Sequence, residues 1–438
     1  MNEAYSRRMQ FLLKNEYEAY RASFGLKPFR GYRINTLKIA EEEFFHTVNL
    51  PAGRTPFAEN GFYLHEEAGL GSTPAYAAGL FYLQEPSASA AVTVLQPQPG
   101  MKILDLCAAP GSKTTQILEM MQGQGILVAN EINSKRAQIL AENVERSGAV
   151  NCFVLNEEPQ KIAETCRECF DQVLCDAPCS GEGMFRKDPD AEQQWSEESV
   201  SSCAIRQRRI LNSAYQCLRQ GGILVYSTCT FSPEEDEETI AAFLHEHPDM
   251  AIVSSGVSFG RPGILTDADT NQAVRIYPMD GGEGHFVCRM QKNGSGPAGH
   301  FTVSGSERIP QEAGAFLKEQ LKNPYPYYLV KNGILYGGVN PFYDFGRCRI
   351  VRSQVKLGEL RNGRFEPDHH FYMSDWSLFR HAVELDDAKA AAFLRGETIA
   401  ADTAKGYYAV QWKGHALGHA KSDGRILKNK YPKQLRTH

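Results

Sequence analysis

The chain has 438 residues, 42% of them hydrophobic and 23% charged, with a formal net charge of −5. This is ordinary for a globular protein with ample sequence for a core, and the length suggests about two to four domains. No run approaches the roughly 18 apolar residues of a membrane span, and the slightly acidic balance does not announce a nucleic-acid binder.

Met1 to Arg8 hold no apolar stretch of secretory type. The eleven cysteines fall mostly in or beside apolar segments, as free thiols do in a reducing compartment, so a cytoplasmic location is expected. Cys166-Arg167-Glu168-Cys169 has zinc-like spacing but no second pair at a suitable distance, and no metal site is expected.

Residues 1 to about 70 open with a helix-like segment in which Phe11, Leu12, Tyr17 and Tyr20 recur at near-helical spacing. A strand from Gly31 to Leu37, a short helix from Glu41 to Val48 and a strand from Gly61 to Leu64 follow. Together they suggest a small α+β module over 1–74.

Residues 75–292 alternate β and α. Strands are expected at Lys102–Leu106, Ile126–Asn130, Cys152–Leu155, Val173–Asp176 and Ile223–Ser227. A helix is expected from Ser134 to Ser147, with Asn133 as its cap and Gly148 as its stop, and another from about Ala204 to Leu218. A third reads as starting on a capping box, with Ser232 as cap, Pro233 in the first helical position and Glu235 three residues on. Arg275–Tyr277 and His285–Cys288 look like a hairpin closed by the turn Gly281 to Gly284. Near-continuous apolar strands separated by helices mean a parallel sheet covered on both faces, and an antiparallel hairpin at its end is the methyltransferase variant of the doubly wound α/β fold. Beyond a Gly/Pro-rich linker at 291–302, residues 303–370 and 371–438 read as two small modules of mixed strands and turns.

The stretch Leu104 to Thr115 reads as a buried strand, a tight turn at Pro110-Gly111 and the first turn of a helix. Free backbone N–H groups at a helix start attract anionic or carbonyl-bearing groups. Glu131, just after the second strand, stands where an acid grips ribose hydroxyls in such sheets. The stretch lacks G-x-G-x-x-G and the paired glycines of a P-loop, so a nucleoside-containing cofactor is expected rather than a dinucleotide or a nucleoside triphosphate.

Two further strand ends carry unusual sequences, Asp176-Ala177-Pro178-Cys179-Ser180-Gly181-Glu182-Gly183 and Ser227-Thr228-Cys229-Thr230. Two rim cysteines beside a methyl-donor site invite one chemistry. Pyrimidine C5 is too weakly nucleophilic to take a methyl group directly, but a thiolate adding to C6 makes C5 enamine-like. That thiol needs a lowered pKa or a nearby base.

Asp105 to Thr115, the Pro-Cys and Thr-Cys motifs, and Gln84-Glu85-Pro86-Ser87 together closely resemble the NOL1/NOP2/Sun family of RNA cytosine-5 methyltransferases. The tail Gly424 to Lys433 resembles the bacterial RsmF-like branch, which adds C-terminal modules, one of them PUA-like. The resemblance implies a Rossmann-like methyltransferase domain using S-adenosyl-L-methionine. Its substrate would be RNA, foremost small-subunit ribosomal RNA or the small ribosomal subunit, with transfer RNA or a non-catalytic assembly role as alternatives. It further implies that Cys229 is the nucleophile and that Cys179 assists release. Cys107, Ala108, Ala109, Pro110, Gly111, Ser112 and Lys113 would hold the methionine part and ribose, and Glu131 the ribose hydroxyls. Glu158, with Asn156 as the alternative, would lie at the adenine. Asp176 would serve the cofactor amine or the cytosine edge, and Lys113 could polarise the site.

Arg33, Lys38, Arg186, Lys187, Arg206, Arg208 and Arg209, and the basic tail from Lys413 to Arg436, are open to RNA contact or to simple solvation. Glu234 to Glu238 reads as an acidic first helical turn.

Overall fold

The computed structural model describes residues 2–64 and 69–437. Its centre is a ten-stranded sheet. The parallel part comprises β1 (Lys102–Asp105), β2 (Ile126–Asn130), β3 (Cys152–Leu155), β4 (Phe170–Asp176) and β5 (Leu218–Thr228), in the order β3-β2-β1-β4-β5. The order reverses between β1 and β4, so the crevice for a ligand opens at their carboxyl ends. β6 (Val274–Ile276) and β7 (His285–Lys292) form the closing hairpin, with β7 antiparallel to β5. The sequence expectation of a doubly wound methyltransferase sheet is met.

Strand periodicity accounts for the two covered faces. Leu104, Val128, Phe153, Val173 and Leu224 enter one apolar cluster. Their neighbours Ile103, Leu127, Val154, Leu174 and Val225 enter the other. Cys166 and Cys169 belong to the first cluster as buried thiols.

Helix α1 (Ser112–Met121) follows β1, and α2 (Ser134–Ser147) follows β2. The α2 boundaries are those read from sequence. The Asn133 side chain accepts from the N–H groups of Lys135 and Arg136, and Gly148 ends the helix at φ +82°. Helix α3 (Glu197–Cys217) begins a full two turns before the expected Ala204, because Ser196 and Ser199 form a capping box. Helix α4 (Glu237–Glu246) corrects the third expectation: Ser232 and Glu235 do not cap it, and their side chains are engaged elsewhere.

The N-terminal helix is two, Glu3–Leu13 and Tyr17–Ser23. The small sheet beside them takes strands Gly61–Tyr63, Gly31–Ile34 and Phe81–Gln84, the last lying past the boundary expected at residue 74. At the other end, Tyr327–Lys331, Ile334–Gly338, Val355–Arg361 and Arg364–Pro367 form a four-stranded sheet. Ile350–Ser353, however, leaves that module and pairs antiparallel with β3, capping the edge of the central sheet. A five-stranded sheet over residues 382–429 completes the chain. Leu385, Trp412 and Leu427 of this sheet, with Phe393 from the helix Asp387–Leu394, share one apolar core with Tyr32, Ile34, Phe44 and Phe62 of the N-terminal module.

Several basic residues read as open to RNA are structural instead. Arg33 is fully buried and paired with Glu119 at 2.8 Å, bracing α1. The Lys38 ammonium donates to the carbonyls of Ala78 and Arg146, and burial lowers its pKa to about 8. The Arg186 guanidinium is buried against Glu283 at 3.1 Å. The acidic run meets its expectation in part: Glu237 and the exposed Glu238 open the first turn of α4, but Glu235, Asp236 and Glu237 are buried, with Arg275 reaching Asp236 at 3.3 Å and Glu237 at 2.5 Å, while Glu234 pairs with Arg8.

Candidate active site

The turn after β1 is built from backbone, which is what lets a ligand approach it closely. Gly111 has φ +114°, and a Cβ there would lie 3.2 Å from Leu140 Cδ1. No side chain caps the start of α1, so its first N–H groups remain available to a ligand. The loop is braced from below: Arg136 donates to the Ala109 carbonyl at 2.7 Å and Asn143 to that of Pro110 at 2.8 Å. Asn130 donates to the carbonyls of Leu106 and Glu157, tying the ends of β1, β2 and β3 together.

Cys107, Ala108, Ala109, Pro110, Gly111, Ser112 and Lys113 thus form one continuous rim. Glu131 lies beside it, buried, accepting from Asn133 N–H at 2.8 Å and from Arg136 at 3.2 Å. Of the two adenine candidates, Asn156 bonds the carbonyls of Glu131 and Ile132, whereas Glu158 is exposed at the head of the helix Pro159–Thr165. Burial pushes the Cys107 thiol up, which makes it an inert wall.

Asp105, which the sequence reading left without a role, ends β1 beneath this rim. It is fully buried, one oxygen accepts from Thr114 Oγ1 at 2.7 Å, and the other has no partner among the described residues. Burial raises its pKa to about 7. An uncapped helix start and a buried acid with a spare oxygen fit a nucleoside ligand bearing an amino acid end.

The second half of the site stands on β4 and β5, paired in parallel with Asp176 opposite Ser227. Asp176 accepts from Lys113 Nζ at 2.8 Å and from Ser227 Oγ at 2.7 Å, and His285 Nε2 lies 3.7 Å away. Although burial opposes it, the Lys113 ammonium and the other donors hold the Asp176 carboxyl below the usual range, as an acceptor-only carboxylate. His285 is buried and, with its pKa lowered to about 4, neutral. Ser227 and His285 went unassigned in the sequence. Ser227 adjoins the Thr-Cys motif, but His285 is brought to Asp176 only by the pairing of β7 with β5.

Cys179 and Cys229, fifty residues apart, bring their Sγ atoms to 3.3 Å. Both are partly exposed, unlike the buried Cys152, Cys175, Cys217 and Cys288. The hydrogen bond to Cys229, followed by burial, pushes the Cys179 thiol up. Gly183 permits this approach: its N–H donates to the Cys229 carbonyl at 2.8 Å, and a Cβ would press on that oxygen and on Gly284 at 3.0 Å. The Gln84-Glu85-Pro86-Ser87 motif locks the hairpin turn, with Glu85 accepting from Glu283 N–H at 2.8 Å.

Fold and cradle together define an S-adenosyl-L-methionine-dependent methyltransferase. The 16S rRNA methyltransferase RsmB/F family matches residues 92–291, the N-terminal domain of 16S rRNA methyltransferase RsmF matches residues 1–86, and the methyltransferase RsmF PUA domain matches residues 380–437. The ribosomal RNA small subunit methyltransferase F of Aeromonas salmonicida (strain A449) is 34% identical over 440 residues, which cover 93% of this chain and 90% of that one. A methyltransferase homolog protein from Pyrococcus horikoshii is 28% identical, with a TM-score of 0.60 over 67% of this chain and 95% of that one. NSun6 from Pyrococcus horikoshii, solved with SFG, shares the fold at 22% identity and a TM-score of 0.60, over 67% of this chain and 99% of that one. The chain belongs to the RsmB/F family of 16S rRNA methyltransferases.

Proposed function

We propose that this enzyme methylates C5 of cytosine in small-subunit ribosomal RNA, with Cys229 as the nucleophile and Cys179 as the releasing residue. The observation that carries the reading is the 3.3 Å approach of two partly exposed thiols beside the Lys113–Asp176 pair, at the switch point of a methyltransferase sheet. C5 and C6 of a pyrimidine are bonded neighbours, so groups acting on each must lie close together.

Bound S-adenosyl-L-methionine supplies an electrophilic methyl group on a sulfonium. Cys107 to Lys113 would hold its amino acid end and ribose, Glu131 the ribose hydroxyls, and Glu158 or Asn156 the adenine edge. The Cys229 thiolate adds to C6, its electron pair forming the C–S bond and making C5 nucleophilic. C5 takes the methyl group. Cys179, once it has given up its own thiol proton to solvent, takes the C5 proton as a thiolate; the C5–H electron pair re-forms the C5–C6 double bond, and the C6–S bond breaks to release Cys229 as a thiolate. Asp176, as a carboxylate, would accept from the cytosine 4-amino group, which uracil lacks. A base in folded RNA must first be unstacked, at a cost of a few kcal/mol, and the modules at 303–370 and 371–438 would offset that cost through phosphate and shape contacts. The eleven free cysteines fit a reducing cytoplasm.

The test is to incubate Cys179→Ala and Cys229→Ala with small-subunit ribosomal RNA and S-adenosyl-L-methionine, then run denaturing gels. An RNA-linked band with Cys179→Ala, absent with Cys229→Ala, is expected. The opposite pattern would exchange the two roles. No band in either, with cofactor binding intact, would overturn the covalent reading for this RNA.

A further inference from the structure

The loops bearing the two thiols are joined by a crossed pair of buried carboxylates that the reaction itself does not use. Glu182 lies three residues after Cys179 yet holds the other loop: its oxygens accept from Phe231 N–H at 2.8 Å and Ser232 Oγ at 2.5 Å, and from Trp195 Nε1 at 2.9 Å. Glu235 lies six residues after Cys229 yet holds the first loop, accepting from Ser180 N–H at 3.0 Å and from Gln207 Nε2 of α3 at 2.7 Å. Gln207 in turn donates to the Pro178 carbonyl at 3.1 Å, and the hydroxyls of Ser180 and Thr230 meet at 2.8 Å. Each cysteine therefore has a neighbour fixed by a carboxylate from the other loop. This is also why Ser232 and Glu235, which read as a capping box, do not cap α4.

Resting on the proposed two-cysteine chemistry, we infer that Glu235 and Glu182 are positioning residues that set the separation of the two thiols, with Glu235 governing Cys179 and the release step. A carboxylate accepts two donors in fixed directions, and both of Glu235's donors lead to the backbone flanking Cys179. Its second oxygen is buried with no partner among the described residues. Burial raises the Glu235 pKa to about 7, so its acceptor strength changes near neutral pH. The titratable groups around it are Glu182, Asp236, Tyr226, Cys179 and, from α3, Cys203. None is a cation, so the ionised form depends on the N–H donors of Ser180 and Gln207.

The test uses the full-length protein and small-subunit ribosomal RNA, comparing wild type, Glu235→Gln, Glu182→Gln, Cys179→Ala and Cys229→Ala. Labelled methyl transfer is followed from pH 5.5 to 8.5 alongside the RNA-linked band and cofactor affinity. Glu235→Gln is expected to turn over about 100-fold more slowly, the cost of a misplaced group. It should also accumulate the RNA-linked band, keep wild-type cofactor affinity and lose the wild-type inflection near pH 7. Glu182→Gln is expected to reduce formation of the band as well as turnover, because it holds the Cys229 loop. Wild-type turnover and pH profile in Glu235→Gln, or loss of cofactor affinity in step with activity, would overturn the inference while leaving the covalent reading intact. Absence of the band in Cys179→Ala would overturn both.

Discussion

At the scale of single residues, the site combines acids that the same physics drives in opposite directions. Asp176 is ionised because the Lys113 ammonium and the Ser227 hydroxyl donate to it, while Asp105, only a strand away, is buried with one hydroxyl donor and no cation bonded to it. A carboxyl whose folded pKa is about 7, against 3.8 when exposed, binds a proton in the native state that the unfolded chain has already released. Between those values stability therefore falls as pH rises, by up to about 4 kcal/mol for a shift of this size. Asp105→Asn keeps an acceptor for Thr114 and removes the titration. Urea unfolding should show the variant gaining stability on wild type between pH 5 and pH 8. An equal difference at both values would mean that Asp105 is not neutral in the native protein.

At the scale of elements, the helix His369–Met373 and the strand His415–Ser422 meet in a cluster of buried histidines. His419 stacks on Tyr372 at 4.5 Å, and burial lowers its pKa to about 3. A histidine depressed in this way contributes stability that is present above its unfolded pKa and lost as pH falls through the acid range, about 2 kcal/mol by pH 5. Glu145, Glu235 and Asp105, each raised to about 7, act in the opposite sense, so the slope of the whole protein hides the effect. His419→Phe keeps the stacked ring, and its unfolding midpoint should fall less than that of wild type between pH 7 and pH 5; parallel curves would refute the assignment. The elements also show where sequence reading succeeds. Helix α2 was legible because Asn133 and Gly148 punctuate it locally, and β2 and β3 because they are apolar on both faces. The start of α4 was not, since tertiary partners claim Ser232 and Glu235. Ile350–Ser353 gave no local sign of joining β3, about 200 residues earlier. The Pro-Cys and Thr-Cys motifs were visible as motifs, but the carboxylates that cross between them depend on a fold that local spacing does not encode.

At the scale of the whole molecule, the first and last modules are one packed unit. Tyr32, Phe44, Phe62 and Phe81 from the N-terminal module enter the same core as Phe393, Trp412, Leu417 and Tyr431 from the last module, while Arg33 of the N-terminal sheet braces α1 under the cofactor turn. Cutting the chain at 370 would expose this apolar face, so a simple truncation tests folding as much as RNA binding. A point variant separates the two. Trp412 is 5% exposed, and its indole N–H donates to Asp387 at 2.6 Å. Trp412→Ala leaves a large cavity, and should destabilise the protein by about 3–5 kcal/mol. If the modules share one core, fluorescence and proteolysis reporters in the N-terminal module should shift with the same midpoint as those in the last. A last module that unfolds alone, with the N-terminal reporters and cofactor binding unmoved, would show that the shared apolar face contributes little and that the two ends of the chain move as separate bodies on the RNA.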